Sequence, residues 1–137
     1  MKRHGLDVFH PVLIDVSHPE RALDLIPHGC DLILSTYVFE LIPTKSYGER
    51  VLRIMRQLLK PGGLALVQIK YADRTRSSRA RPWAYRDNFV DMTTYYIEEF
   101  WAVAKHCGLT PEQVSLEPEQ PLVDDRRYAY FLMSRPT

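Results

Sequence analysis

Between Asp31 and Ile69 the sequence leaves room for little but a buried strand, an amphipathic helix and a second buried strand, tightly joined. Asp31 to Leu34 (DLIL) and Leu64 to Ile69 (LALVQI) are apolar runs with little alternation. Strands of that kind are buried on both faces, as in parallel sheets. Between them, Tyr47, Val51, Ile54, Met55 and Leu58 recur at helical spacing, while Glu49, Arg50, Arg53, Arg56 and Lys60 take the remaining positions. Thr44 or Ser46 caps the start of that helix after Pro43, and Pro61-Gly62-Gly63 ends it. The arginine row reads as a solvated face. Strand, helix and strand in this order make a βαβ unit with parallel strands.

The flanks extend the pattern. Pro11 to Ser17 (PVLIDVS) reads as another buried strand, and HPERALDLIP as about two helical turns broken at His28-Gly29. Thr93 or Thr94 caps a helix in YYIEEFWAVAKHC, with Ile97, Phe100, Trp101 and Ala104 as its buried stripe and Gly108 at its end. Gln113 to Glu117 and Tyr128 to Ser134 read as closing strands, linked through Asp124 to Arg127. The order β-α-β-α-β-loop-α-β-β is an α/β layered fold, and 137 residues make one domain, 1–137.

Composition excludes more than it selects. A net charge of +1 supplies no bulk attraction to nucleic acid or an anionic membrane. No apolar run is long enough to span a bilayer, and MKRHGLDVFH lacks the apolar centre of a signal peptide, so the expected location is cytoplasmic. Cys30 and Cys107 read as buried free thiols of a reducing compartment, and the scattered histidines give no metal site.

Residues 71–92 break from the pattern as a basic lid or loop. Four arginines fall between Arg74 and Arg81, followed by Trp83, Tyr85 and Phe89. Residues 60–90 hold seven basic and two acidic side chains, whereas 91–137 hold four basic and eight acidic. Arginines interleaved with aromatics suit phosphate and a stacked ring, and equally suit a solvated loop. Polar residues also gather where strands end: Asp15, Ser35, Thr36, Tyr37 and Lys70. In open parallel sheets ligands bind outside the carboxyl ends of strands. Ser35 and Thr36 have a second reading, as caps of a short helix in VFELI.

DLILSTYVFELIP followed by VLRIMRQLLKPGGLALVQI resembles the class I S-adenosylmethionine-dependent methyltransferases, from their fourth strand to their fifth. Asp31, Ser35, Val38, Glu40, Pro43 and Leu59 to Gly63 fit that pattern, while Leu41 stands where many relatives carry histidine. PVLIDVS is similar to the third strand of that family, and the final helix and strands to its closing segment with an antiparallel last strand. The resemblance implies a mostly parallel, Rossmann-like sheet and S-adenosylmethionine as cofactor. It implies cofactor contacts at Asp15, Val16, Ser35, Thr36 and Tyr37, with Tyr37 also lining the methyl-transfer channel. Glu40 is the nearest candidate base. Lys70, Tyr71, Arg79, Arg81 and Tyr85 fall where an acceptor would bind, whether a small molecule or nucleic acid.

The family's glycine-rich cofactor loop has no counterpart in the sequence. The implied domain is therefore partial, begins near the third strand, and binds the cofactor weakly or not at all alone. Two central strands would be missing between Val12–Val16 and Leu32–Leu34. Those segments either pair directly in parallel or leave a free edge for a second copy or a partner chain. On that last reading the chain is a non-catalytic interaction module.

Overall fold

The computed structural model describes residues 9–74, 92–118 and 127–137. Four strands form one sheet in the order β1-β2-β4-β3: β1 (Cys30–Ser35), β2 (Leu59–Lys70), β3 (Thr110–Leu116) and β4 (Tyr128–Ser134). β1 runs parallel to β2, while β4 is antiparallel to both β2 and β3. The Rossmann-like α/β expectation with an antiparallel last strand holds. β1, β2 and β3 share one direction, as a mostly parallel sheet requires, although the segment expected to extend its parallel side forms no strand.

That segment is Pro11 to Ser17. It is irregular, with Leu13 and Val16 exposed. Other bonds hold its end. Tyr47 Oη donates to the Val16 carbonyl at 2.8 Å, Arg50 reaches the Ser17 carbonyl at 3.4 Å, and the Asp15 carboxylate accepts the Ser17 N–H at 2.9 Å. Ile14 packs against the small cluster of Ala22, Ile54 and Leu58. A short strand with one uncovered face gains too little burial to offset its ordering. Of the two outcomes expected for Val12–Val16 and Leu32–Leu34, direct pairing does not occur, and β1 is an edge of the described sheet.

The chain between these segments makes a single 3-10 turn (Pro19–Arg21) and α1 (Ala22–Leu25). Helix α2 (Lys45–Leu58) starts where the Thr44 hydroxyl accepts the Tyr47 N–H at 3.1 Å. It stops at Leu58, before Pro61-Gly62-Gly63, so those residues lie inside β2. There they form a bulge: Cys30 pairs with Leu59, yet Leu32 pairs with Leu64. A Cβ on Gly63 would stand 2.9 Å from the carbonyl oxygens of both Cys30 and Lys60, so only glycine fits. Helix α3 (Ile97–His106) is not capped by Thr93 or Thr94. Its N-terminal turn is closed by the Glu99 carboxylate, which accepts the Tyr96 N–H at 3.1 Å, while the Thr93 hydroxyl donates to the Ile42 carbonyl at 2.7 Å.

The core lies between one sheet face and α2 and α3. Ala65, Val67 and Ile69 of β2 and Ala129, Phe131 and Met133 of β4 are fully buried there. Phe100 of α3 is its centre, with edge-on contacts to Phe39, Tyr95 and Phe131 at 5.5, 5.1 and 4.7 Å between centroids. The opposite face carries Leu32, Leu34, Leu64, Leu66 and Leu132 near the β1 edge. Leu32 and Leu34 remain 60% and 62% exposed.

Candidate functional site

Because β1 and β2 are parallel, their carboxyl ends share one rim, and the antiparallel β4 starts on that rim. Lys70 is paired with Tyr128, and β3 runs out beside Ala129. Ser35, Thr36, Tyr37, Gln68, Lys70, Tyr71, Glu117 and Tyr128 therefore collect at one end of the sheet. This is where the strand-end argument expects a ligand.

Ser35 is buried and Thr36 half-buried at the exit of β1. Tyr37 takes a left-handed conformation, φ +57°, and its N–H donates to Gln68 Oε1 at 2.7 Å. Its ring meets Tyr128 edge-on at 5.7 Å. Lys70, only 4% exposed, holds Nζ 5.7 Å from the Tyr128 ring centroid, a cation–π distance. Tyr71 donates its N–H to the Arg127 carbonyl at 2.7 Å and pairs in parallel with Tyr95. Burial raises the Tyr130 hydroxyl pKa, with Glu117 and Tyr37 adding to the rise.

A cavity of about 480 Å³ opens beside this rim, lined by Val16, Tyr37, Val38, Leu41, Tyr47 and Met92, together with Ile42 and Pro43. Its walls are apolar and aromatic. Val16 also lines a neighbouring cavity of about 470 Å³, together with Leu13, Asp15, Arg21 and Asp24. Asp15 and Val16 thus stand next to the β1 exit without forming a strand. The Ser17 N–H, and then His18, hold the Asp15 carboxyl below its ordinary pKa. It accepts from Ser17 N–H at 2.9 Å and meets His18 Nδ1 at 3.2 Å.

Glu40 is elsewhere. It is 2% exposed, lies in a short 3-10 turn, and does not line the cavity. Its backbone carbonyl accepts the N–H groups of Met92 at 3.1 Å and Thr93 at 3.3 Å, which ties that turn to the segment before α3. Arg79, Arg81 and Tyr85, with most of the 71–92 stretch, lie outside the described residues. Arg74, at its start, approaches Glu98 at 3.8 Å.

The structure adds Gln68, Leu41, Tyr47 and Met92 to the site. Gln68 had a sequence signal, as a lone amide inside an apolar strand. Tyr47 had none, because its helical spacing reads as core. Cys30 and Cys107 are free thiols, but only Cys107 is buried as expected, and burial raises its pKa; Cys30 is partly exposed. Among the described residues no cluster of His, Cys, Asp and Glu suits a metal, and no helix is long and apolar enough to cross a membrane.

An apolar, aromatic-walled cavity suits a flat heteroaromatic ligand, while Asp15 lines only the neighbouring cavity and Ser35 and Thr36 line neither. S-adenosylmethionine carries such a ring, and the residues present fit it on one side. No family model and no curated protein matches the sequence. Solved structures do match in fold. An S-adenosylmethionine-dependent methyltransferase from Mesorhizobium loti aligns with a TM-score of 0.61 at 14% identity, over 80% of this chain and 64% of that one. One from Methanosarcina mazei aligns at 0.60 with 9% identity, over 81% and 61%. The complex between the Haloferax volcanii Trm112 methyltransferase activator and a putative methyltransferase gives 0.56 at 16% identity, over 82% and 57%. The chain spans about a third to two thirds of the length of such structures. Over about four-fifths of its residues, this chain has the fold of part of a class I S-adenosylmethionine-dependent methyltransferase.

Proposed function

We propose that the rim of this sheet is one side of a methyl-transfer site that binds S-adenosylmethionine. The observation that carries the reading is the meeting of Val16 and Tyr37, from separate segments, in one apolar cavity at the carboxyl ends of parallel strands. When bound, the cofactor supplies a methyl group on a positively charged sulfur. Such a transfer gains most from alignment and from exclusion of water, and needs a base only if the acceptor loses a proton. On this reading the Asp15 carboxylate accepts hydrogen bonds from the heterocycle, with Val16 beside it. Ser35 and Thr36 hold the polar tail, and the Tyr37 ring closes one wall. Glu40, buried in its turn, supports the wall through its backbone carbonyl, which holds Met92. Lys70 and Tyr71 stand at the acceptor's side of the rim. The two free thiols suit a reducing, cytoplasmic setting.

With one side of the ligand served, affinity is weak, with Kd above about 100 μM. Ligand-observed NMR with S-adenosylhomocysteine tests the reading. Expected are saturable signals from the wild type and loss of them in Tyr37→Ala. No signal from the wild type at millimolar ligand would count against it.

A second reading has its own support. β1 is an edge of the described sheet, and its outer leucines are exposed. An apolar edge without a charge between Leu32 and Ser35 is a template for another chain. On this reading the protein is an interaction module completed by a second polypeptide. A monomer by light scattering at all concentrations, with no partner recovered on a Leu34-labelled crosslinker, would remove it.

A further inference from the structure

Gln68 is 0% exposed, sits on β2 two residues before Lys70, and joins the ends of all four strands. Its Oε1 accepts the Tyr37 N–H beyond β1 at 2.7 Å. Its Nε2 reaches Tyr130 Oη on β4 at 3.3 Å and Glu117 Oε2 beyond β3 at 3.4 Å. An N–H on one side demands the carbonyl oxygen, and a carboxylate on the other demands the amino group. A flipped amide would set donor against donor and acceptor against carboxylate, so the partners lock its orientation.

We infer that Gln68 is a positioning residue: it holds Tyr37 as a wall of the cavity and so sets how firmly the site retains a flat, ring-bearing ligand. The identity of that ligand rests on the methyl-transfer reading. Tyr37 has φ +57°, a conformation that residues with a Cβ adopt at a cost, and its half-exposed ring meets Tyr128 edge-on. The dry acceptor offered by Gln68 fixes the backbone that this ring hangs from. Removal of that acceptor leaves the Tyr37 N–H without its partner and frees the turn.

Two variants separate the halves of the clamp. Gln68→Met keeps the shape and removes all three bonds, whereas Gln68→Glu, made together with Glu117→Gln so that no two carboxylates meet, keeps an acceptor for Tyr37. Amide exchange at Tyr37 is read against Gly48, whose N–H bonds the Thr44 carbonyl in the first turn of α2. Relative to Gly48, Tyr37 should exchange at least about tenfold faster in Gln68→Met and within about threefold of wild type in the double variant. S-adenosylhomocysteine binding should weaken at least about fivefold in Gln68→Met and be retained in the double variant. Unchanged Tyr37 exchange in Gln68→Met overturns the inference, as does unchanged affinity where the wild type binds. If the wild type does not bind, the methyl-transfer reading fails, and the exchange ratio still decides whether Gln68 holds Tyr37. Should Gln68→Met fail to fold, Gln68→Asn, too short to reach the Tyr37 N–H, gives the same comparison.

Discussion

The two sides of the sheet are built to different standards. Around β2 and β4, Ala65, Val67, Ile69, Phe131 and Met133 are sealed from solvent beneath α2 and α3, with Phe100 packed into their middle. At β1, Leu32 and Leu34 stand more than half exposed, and the apolar segment Pro11 to Ser17 lies nearby without joining the sheet. The same residue types thus stabilise one side and leave the other open. Apolar composition alone does not make a core: a strand also needs a neighbour for its edge and a layer for each face.

Substitutions measure that contrast. The largest effect belongs to the sealed side. Phe100→Ala leaves three aromatic partners facing a void and should cost about 3–5 kcal/mol in urea unfolding. A loss below about 1 kcal/mol would mean the core is looser than its packing shows. Gly63→Ala, at the joint between the sides, forces apart two carbonyl oxygens and should cost about 1–3 kcal/mol. Its damage should spread into β1 and be visible as faster amide exchange at Leu32 to Leu34. On the open side, Leu34→Ser should change stability by less than about 0.5 kcal/mol, while lowering any self-association seen by light scattering.

The smallest effect is electrostatic. Glu20 and Arg50 meet at 2.6 Å and pin the turn before α1 to α2, and the Arg50 hydrogen bond draws the Glu20 pKa down to about 2. A depressed acid contributes stability above its unfolded pKa and loses it as pH falls through the folded value. Wild type should therefore lose this contribution between about pH 4.5 and pH 2, and Glu20→Gln should remove that part of the acid slope. Both carboxylate and guanidinium are exposed, so salt should shrink the difference.

Much of this was legible in residue order. The βαβ unit, the Thr44 cap, both closing strands and the meeting of Ser35 to Tyr37 with Lys70 follow from apolar runs, helical spacing and strand-end polarity. Pro11 to Ser17 misled because a run such as VLIDV looks the same whether or not a neighbour exists to pair with it. Pro61-Gly62-Gly63 misled differently, since the breaker that ends a helix also makes a bulge within the strand that follows. Thr93 passed for a cap because its hydroxyl pairs with Ile42, a partner far away in sequence. Gln68 was visible as an oddity in LALVQIK, but its three partners come from β4 and from the segments after β1 and β3, which no local pattern brings together.

The last in chain order of the four described strands, β4, lies between β2 and β3. During synthesis, β2 must wait beside β1 with a bare flank until Ser134 has cleared the ribosome tunnel, and Phe100 has no Phe131 to meet before then. From the emergence of β2 until that of β4, nascent chains therefore carry an apolar flank in reach of chaperones.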